Sequence, residues 1–206
     1  MENLMSNNSV ILAGKIGKKP EYSHEVFGEG FYESVIEVER LSAQVDMIPI
    51  TISERLMEEV NLEKGDNISI EGQFRSYNKL VENHSKLMLT VFVRECTDNP
   101  DEKNENSIEL TGYICKEPIY RTTPFKREIA DILVAVNRAY NKSDYIPCIA
   151  WGRNARFASK LEVGDKINLV GRIQSREYQK VFDDGTSETR TAYEISISRI
   201  SYAEDD

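Results

Sequence analysis

In Tyr145-Ile146-Pro147-Cys148-Ile149-Ala150-Trp151, two aromatic rings stand at the ends of a run rich in β-formers. Side chains alternate faces along a strand, so Tyr145 and Trp151 share one face, about 20 Å apart at ~3.3 Å per residue. In a second run, Ile167–Tyr178, the side chains of Arg172, Gln174, Arg176 and Tyr178 fall opposite Ile167, Leu169 and Ile173. A face with two arginines, a glutamine and a tyrosine is not a core face. Tyr140 follows Asn137-Arg138 at the end of another β-rich run. Rings interleaved with guanidinium groups suit unpaired nucleobases, which stack at ~1–3 kcal/mol each while cations neutralise the phosphates. Aromatics in β domains are more often half-buried packing residues. For Trp151 alone, core and site are equally expected; the face shared with Tyr145 and the arginine-lined face ending in Tyr178 favour a site. Arg121, Lys126, Arg127, Arg153 and Arg190 extend the basic track through loops, although solvated surface is the default for any one of them.

Other chemistry finds little support. The 206-residue chain has two histidines, His24 and His84, in polar segments without a second ligand at metal spacing. Its three cysteines, Cys96, Cys115 and Cys148, form no Cys-x-x-Cys pair and lie in apolar stretches, where a thiol acts as a small hydrophobe. No cofactor, metal site or enzymatic activity is expected. The longest strictly apolar run, Ile132–Val136, is far shorter than the ~20 residues of a membrane span. Met1–Asn8 is polar and lacks the basic and apolar regions of a secretory signal, so a cytoplasmic protein without membrane contact is expected.

A duplication supplies the elements that position these residues. At an offset of 98, Asn8-Ser9-Val10 returns as Asn106-Ser107-Ile108, Gly14 as Gly112, Pro20 as Pro118, Tyr22 as Tyr120 and Arg40 as Arg138. Asp46-Met47-Ile48-Pro49 likewise returns as Asp144-Tyr145-Ile146-Pro147. At an offset of 99, Leu62, Gly65, Asp66, Gly72 and Ser76 return as Leu161, Gly164, Asp165, Gly171 and Ser175. The chain is two copies of one domain, residues 1–96 and 106–206, joined by a polar linker over 97–105. In the second copy, apolar alternation predicts strands near 108–114, 129–137, 145–151, 167–178 and 193–200. A helix is expected near 154–160, with its counterpart near 54–60 capped by Ser53, and Asp184-Gly185 is read as a hairpin turn. Five strands with a short helix between the third and fourth give an all-β chain of two tandem OB-folds, five-stranded Greek-key barrels. A five-stranded sandwich is the structural alternative.

Charge is divided unequally. The formal total is −9. Residues 1–104 hold 11 basic and 19 acidic side chains, a balance of −8, whereas residues 106–203 hold 15 and 12, a balance of +3. The first copy also replaces Tyr140, Tyr145 and Trp151 by Ser42, Met47 and Ser53, and keeps only Tyr77 near the Tyr178 position. It is expected to bind nucleic acid poorly and to serve as a packing or oligomer surface.

The second copy resembles the bacterial single-stranded DNA-binding protein family. The resemblance is carried by Asn106–Gly112, Leu133–Arg138, Asp144–Gly152 and Gly164–Arg176, in order and across nearly all of 106–200. It implies sequestration of single-stranded DNA in replication, repair or recombination, with stacking positions on Tyr140, Tyr145, Trp151 and Tyr178. Phosphate contacts are then expected from Arg138, Arg172, Arg176, Arg121, Lys126 and Arg153. RNA is not excluded, because base stacking is common to both polymers. Members with one OB domain assemble four; two domains per chain imply a homodimer. The segment Ser201–Asp206 is acidic but has no Pro-Phe ending, so recruitment of partner proteins by this tail is not expected. The competing reading is a protein-interaction or scaffold module of a replication-restart or phage system with vestigial nucleic-acid binding. On either reading, a bacterial nucleoid-associated or a phage-encoded protein is expected.

Overall fold

The computed structural model describes residues 7–81, 84–98, 100, 104–182 and 185–204. The first copy forms β1 (Asn8–Val26), β2 (Glu29–Glu39), β3 (Val45–Ser53), α1 (Glu54–Val60), β4 (Asn67–Val81) and β5 (His84–Asp98). The second forms β6 (Asn106–Ile114), β7 (Ile119–Thr122), β8 (Glu128–Arg138), β9 (Lys142–Trp151), α2 (Arg153–Ala158), β10 (Lys166–Val181) and β11 (Ser187–Tyr202). Alternation of branched apolar residues with polar ones drives each strand: Val10, Leu12 and Ile16 of β1, and Ile146, Cys148 and Ala150 of β9, face the core. Within each copy the strands close into a barrel in the order expected of an OB-fold. β1 pairs with both β2 and β4, while β5 runs antiparallel to β4 and parallel to β3. β6, β8, β9, β11 and β10 repeat this circuit.

Closure depends on the repeated glycines. Where β1 passes from β4 to β2, a Cβ on Gly14 would collide with the Glu37 carbonyl oxygen. A Cβ on Gly112 would stand 2.6 Å from the Ala135 carbonyl. No side chain fits between these backbones, so the strand bends only with glycine there.

The helix expected near 54–60 is α1, and the Ser53 hydroxyl accepts a hydrogen bond from Leu56 N at 3.4 Å. α2 is shorter than the expected 154–160, beginning at Arg153 and ending at Ala158. β7 is an additional strand, because the second copy breaks around Pro118 what the first copy carries as one strand with register irregularities beside Pro20. β5 continues through Thr97 and Asp98 into the stretch read as linker, since their backbones complete the ladder with Ser69 and Ile68. Asn99 and residues 101–103 of that stretch lie outside the described residues, as do Asp184 and the acids Asp205 and Asp206 of the tail. Gly185 has φ +82°, as a hairpin turn requires.

The two barrels join edge to edge. β1 pairs antiparallel with β6, from Asn8 opposite Leu110 to Leu12 opposite Asn106, and one eleven-stranded sheet runs through both copies. The repeated Asp-x-Ile-Pro element supplies the cross-links. Asp46 of the first copy is fully buried and accepts from Ser175 N at 2.8 Å, from Arg172 at 2.8 Å and from Arg40 Nε at 2.9 Å. Asp144 of the second copy reciprocates, accepting from Ser76 N at 2.8 Å and pairing with Arg138 at 3.5 Å. The two serines complete the exchange: Ser175 Oγ accepts from Met47 N at 3.0 Å and Ser76 Oγ from Tyr145 N at 2.7 Å. Burial raises the Asp144 carboxyl above its ordinary value, against the opposing pull of Ser76 N–H, Arg138 and Arg75.

Candidate nucleic-acid interface

The outer surface of the second barrel is built mainly from β8 and β9, with β7 at one margin and the β10–β11 hairpin at the other. On β9, Asp144, Ile146, Cys148 and Ala150 point inward, which turns Tyr145, Pro147 and Trp151 outward, while Ile149 on that same face is covered. Tyr145 lies opposite Ala135 on β8 and Trp151 opposite Ile129, so a small or aliphatic neighbour supports each ring. Both rings are open, Tyr145 at 46% and Trp151 at 40% of their full accessibility. Tyr140 is carried on the β8–β9 turn, where it and Asn141 have φ +62° and +54°. That left-handed backbone is costly for a tyrosine, and it holds the ring 94% exposed. Tyr178 sits on β10 opposite Arg190, 38% exposed, with the Arg176 guanidinium 5.9 Å from its ring centre. The four rings expected to face solvent do so.

The basic residues divide into two groups. Arg176 is exposed and only loosely paired with Glu194, at 3.7 Å. Lys126 tips the β7–β8 hairpin, and exposed Arg153 opens α2 two residues beyond Trp151. Arg121 projects from β7 opposite Ile129 and is held by Asp131 at 2.8 Å. Arg138 and Arg172 are placed differently. Their charges answer Asp144 and Asp46 at the seam between the barrels, with both side chains partly exposed. The alternation that turned Arg172 away from its own core says nothing about an acid arriving from the other copy.

Two features escaped the sequence. Phe125 stands at the tip of the β7–β8 hairpin, 87% exposed, beside Lys126 and Arg127. Its signal is Thr-Pro-Phe-Lys-Arg, a turn that carries a ring where turns usually carry small polar residues. A groove of about 450 Å³ also separates the β10–β11 hairpin from the first barrel. Tyr178, Arg190 and Tyr193 form one wall, and Tyr77, Lys18 and Lys86 the other. In register, Ser76 matches Ser175, so Lys79 stands at the Tyr178 position and Tyr77 one pleat before it.

The remaining reactive groups are quiet. Burial pushes all three thiols up, Cys96 to about 11, which keeps them protonated near neutral pH. Among the described residues, no group of three His, Cys, Asp or Glu side chains is arranged to hold a metal ion. No described helix is long and apolar enough to cross a membrane.

Comparison with known proteins bears on the family and the fold. Residues 105–203 match the model of the Single-strand binding protein family. Single-stranded DNA-binding protein 1 of Staphylococcus aureus (strain COL) is 35% identical over 81 residues, 36% of this chain and 48% of that protein. The chain therefore spans about half the length of that relative. The single-stranded DNA-binding protein of Clostridium tetani (strain Massachusetts / E88) is 30% identical over 106 residues, 48% of this chain and 70% of its own length. The crystal structure of wild-type single-stranded DNA binding protein from Thermus aquaticus superposes with a TM-score of 0.74, covering 97% of this chain and 94% of that one at 20% identity. That likeness extends the fold to both barrels. With the family model on the second barrel and the Clostridium relative matched over more than two thirds of its length, the chain belongs to the single-strand binding protein family.

Proposed function

We propose that the chain binds single-stranded DNA with little sequence preference, for use in replication, repair or recombination. The observation that carries this reading is the outward exposure of Tyr140, Tyr145, Trp151 and Tyr178 on one barrel, beside cations not buried in the seam. Bases stack on these rings whatever their identity, because every base has a π-face. Arg176, Lys126, Arg153 and Arg121 meet the phosphates. Arg138 and Arg172 act through the seam, fixing where the β10–β11 hairpin and β9 stand. The path is set locally, so the acidity of the whole chain does not prevent it. The relatives named above are called single-stranded DNA-binding proteins, which supports the choice of ligand. The family is one of binding proteins and not enzymes.

Trp151 is the sole tryptophan and reports on the site directly. A thymidine oligomer quenches its fluorescence, and Trp151→Ala weakens binding by ~1–3 kcal/mol in a mobility assay. The same titration with a uridine oligomer measures the preference for DNA over RNA. Two chains joined as a homodimer supply four OB domains. Mass measurement at micromolar concentration tests that assembly, and a monomer contradicts it.

A further inference from the structure

The first barrel carries its own opening, of about 660 Å³, where the second carries Trp151. On the outer face of β3, Ser53 and Thr51 stand at the positions of Trp151 and Ile149. Ser53 is committed to capping α1, and Thr51 hydrogen-bonds Thr90 on β5 at 2.9 Å. Rings from the flanking strands fill the vacated space instead. Phe31 of β2 and Phe92 of β5 meet at 5.7 Å, and His24 stacks on Phe31 at 5.2 Å with an interplanar angle of 18°. The second barrel has Ile129 and Ser196 at the corresponding places, so these rings are particular to the first.

Beside the rings, Arg75 lies over Phe92 with its Cζ 4.2 Å from the ring centre. Its Nε is buried and, among the described residues, is the one buried side-chain polar atom with no hydrogen-bond partner. Both Arg75 and Arg94 donate to the single Gln73 Oε1, at 2.9 and 3.1 Å. Arg138 reaches the same opening from the second barrel, and exposed Lys79 stands at its rim. Facing these cations are Asp144, already spent on the seam, and Glu33, which accepts from Ser23. An acidic domain thus holds a basic pocket. Crowding shows in Arg75 itself, lowered to about 10 by burial and by Arg138 and Arg94. Tyr77, exposed, belongs both to this opening and to the groove that ends at Tyr178.

We propose that this opening is a second nucleotide-contacting site, which takes a base against exposed Tyr77, above a floor of Phe31 and Phe92, and its phosphate against Lys79 and Arg75. The inference rests on the single-strand reading of the whole chain and extends it. A strand leaving Tyr178 crosses the groove past Lys18 and Lys86 and reaches Tyr77. In the first barrel the open ring moves from β3 to Tyr77 of β4, since Phe31 is buried under His24 and Phe92 lies under Arg75.

The test moves the reporter. In a chain carrying Trp151→Phe and Tyr77→Trp, the sole indole stands at the first-barrel opening. A thymidine oligomer of about 30 nucleotides, long enough for two OB folds, quenches it, and the quenching reverses with salt. An indole that does not respond there, while Trp151 of the parent chain does, overturns the inference and leaves the proposed function standing. Silence from both reporters overturns both. As a second measurement in the parent chain, Lys79→Glu weakens binding of the same oligomer about fivefold or more at low salt; unchanged affinity contradicts a phosphate contact at this rim.

Discussion

At the scale of single residues, the decisive contrast is between arginines that look alike in sequence. Arg172 and Arg176 share a face of β10, yet one answers a buried aspartate of the other barrel and the other lies open beside Tyr178. Substituting each with alanine therefore has different consequences. Arg176→Ala lowers the salt slope of binding by about 0.7 and leaves thermal stability unchanged, because one phosphate contact is lost. Arg172→Ala lowers the melting temperature, with a cost of about 1 kcal/mol; the partly exposed guanidinium is screened by solvent, and Asp46 keeps Arg40 and Ser175 N. Equal melting temperatures for the two variants contradict this division. The rings were legible from strand parity, since Tyr145 and Trp151 had to share a face once Ile146 and Cys148 pointed inward. The role of Arg172 was not, because Asp46 reaches it from the other barrel, whereas Arg138 pairs with Asp144 of its own copy. The rings of the first barrel were missed for a related reason. Comparing positions on β3 revealed the loss of Trp151, whereas Phe31 and Phe92 enter from neighbouring strands.

At the scale of elements, glycine and proline decide where strands bend or break. Gly112→Ala places a methyl group against the Ala135 carbonyl at the point where β6 turns onto β8. It costs about 1–3 kcal/mol, measured by urea unfolding, because neither backbone can retreat without opening the barrel. A stability equal to that of the parent chain shows that the closure tolerates a side chain. Strand order and helix position were readable from alternation and turn residues. The separate strand β7 was not, because Ile119–Thr122 is exposed throughout and has no buried face to create a pattern. The extension of β5 through Thr97 and Asp98 was hidden similarly, since backbone pairing holds that segment in the sheet.

At the scale of the whole molecule, the duplication is a structural device as well as a record of ancestry. Of the matches that revealed it, Asp46 with Asp144 and Ser76 with Ser175 are the reciprocal links of the seam, and Arg40 and Arg138 hold the two aspartates from within their own copies. Asp46→Ala strips the acid from Arg40 and Arg172 and orphans Ser175 N–H, at a cost of about 2–4 kcal/mol in unfolding free energy. Residues 104–204 alone would expose the β6 edge and an unmatched half of the seam, and such edges pair. That fragment is therefore expected to dimerise through β6 in sedimentation velocity, and a monomer at high concentration contradicts a self-complementary seam.

All of these effects converge on the open rings of the second barrel, and Trp151 reports on them directly. A fluorescence titration of the intact chain with a thymidine oligomer, repeated across a range of salt, is the most direct trial. Saturable quenching is expected, with an affinity that falls log-linearly with salt by about 0.7 per phosphate neutralised. A Trp151 emission that stays constant at low salt, with the oligomer migrating as if free, contradicts it.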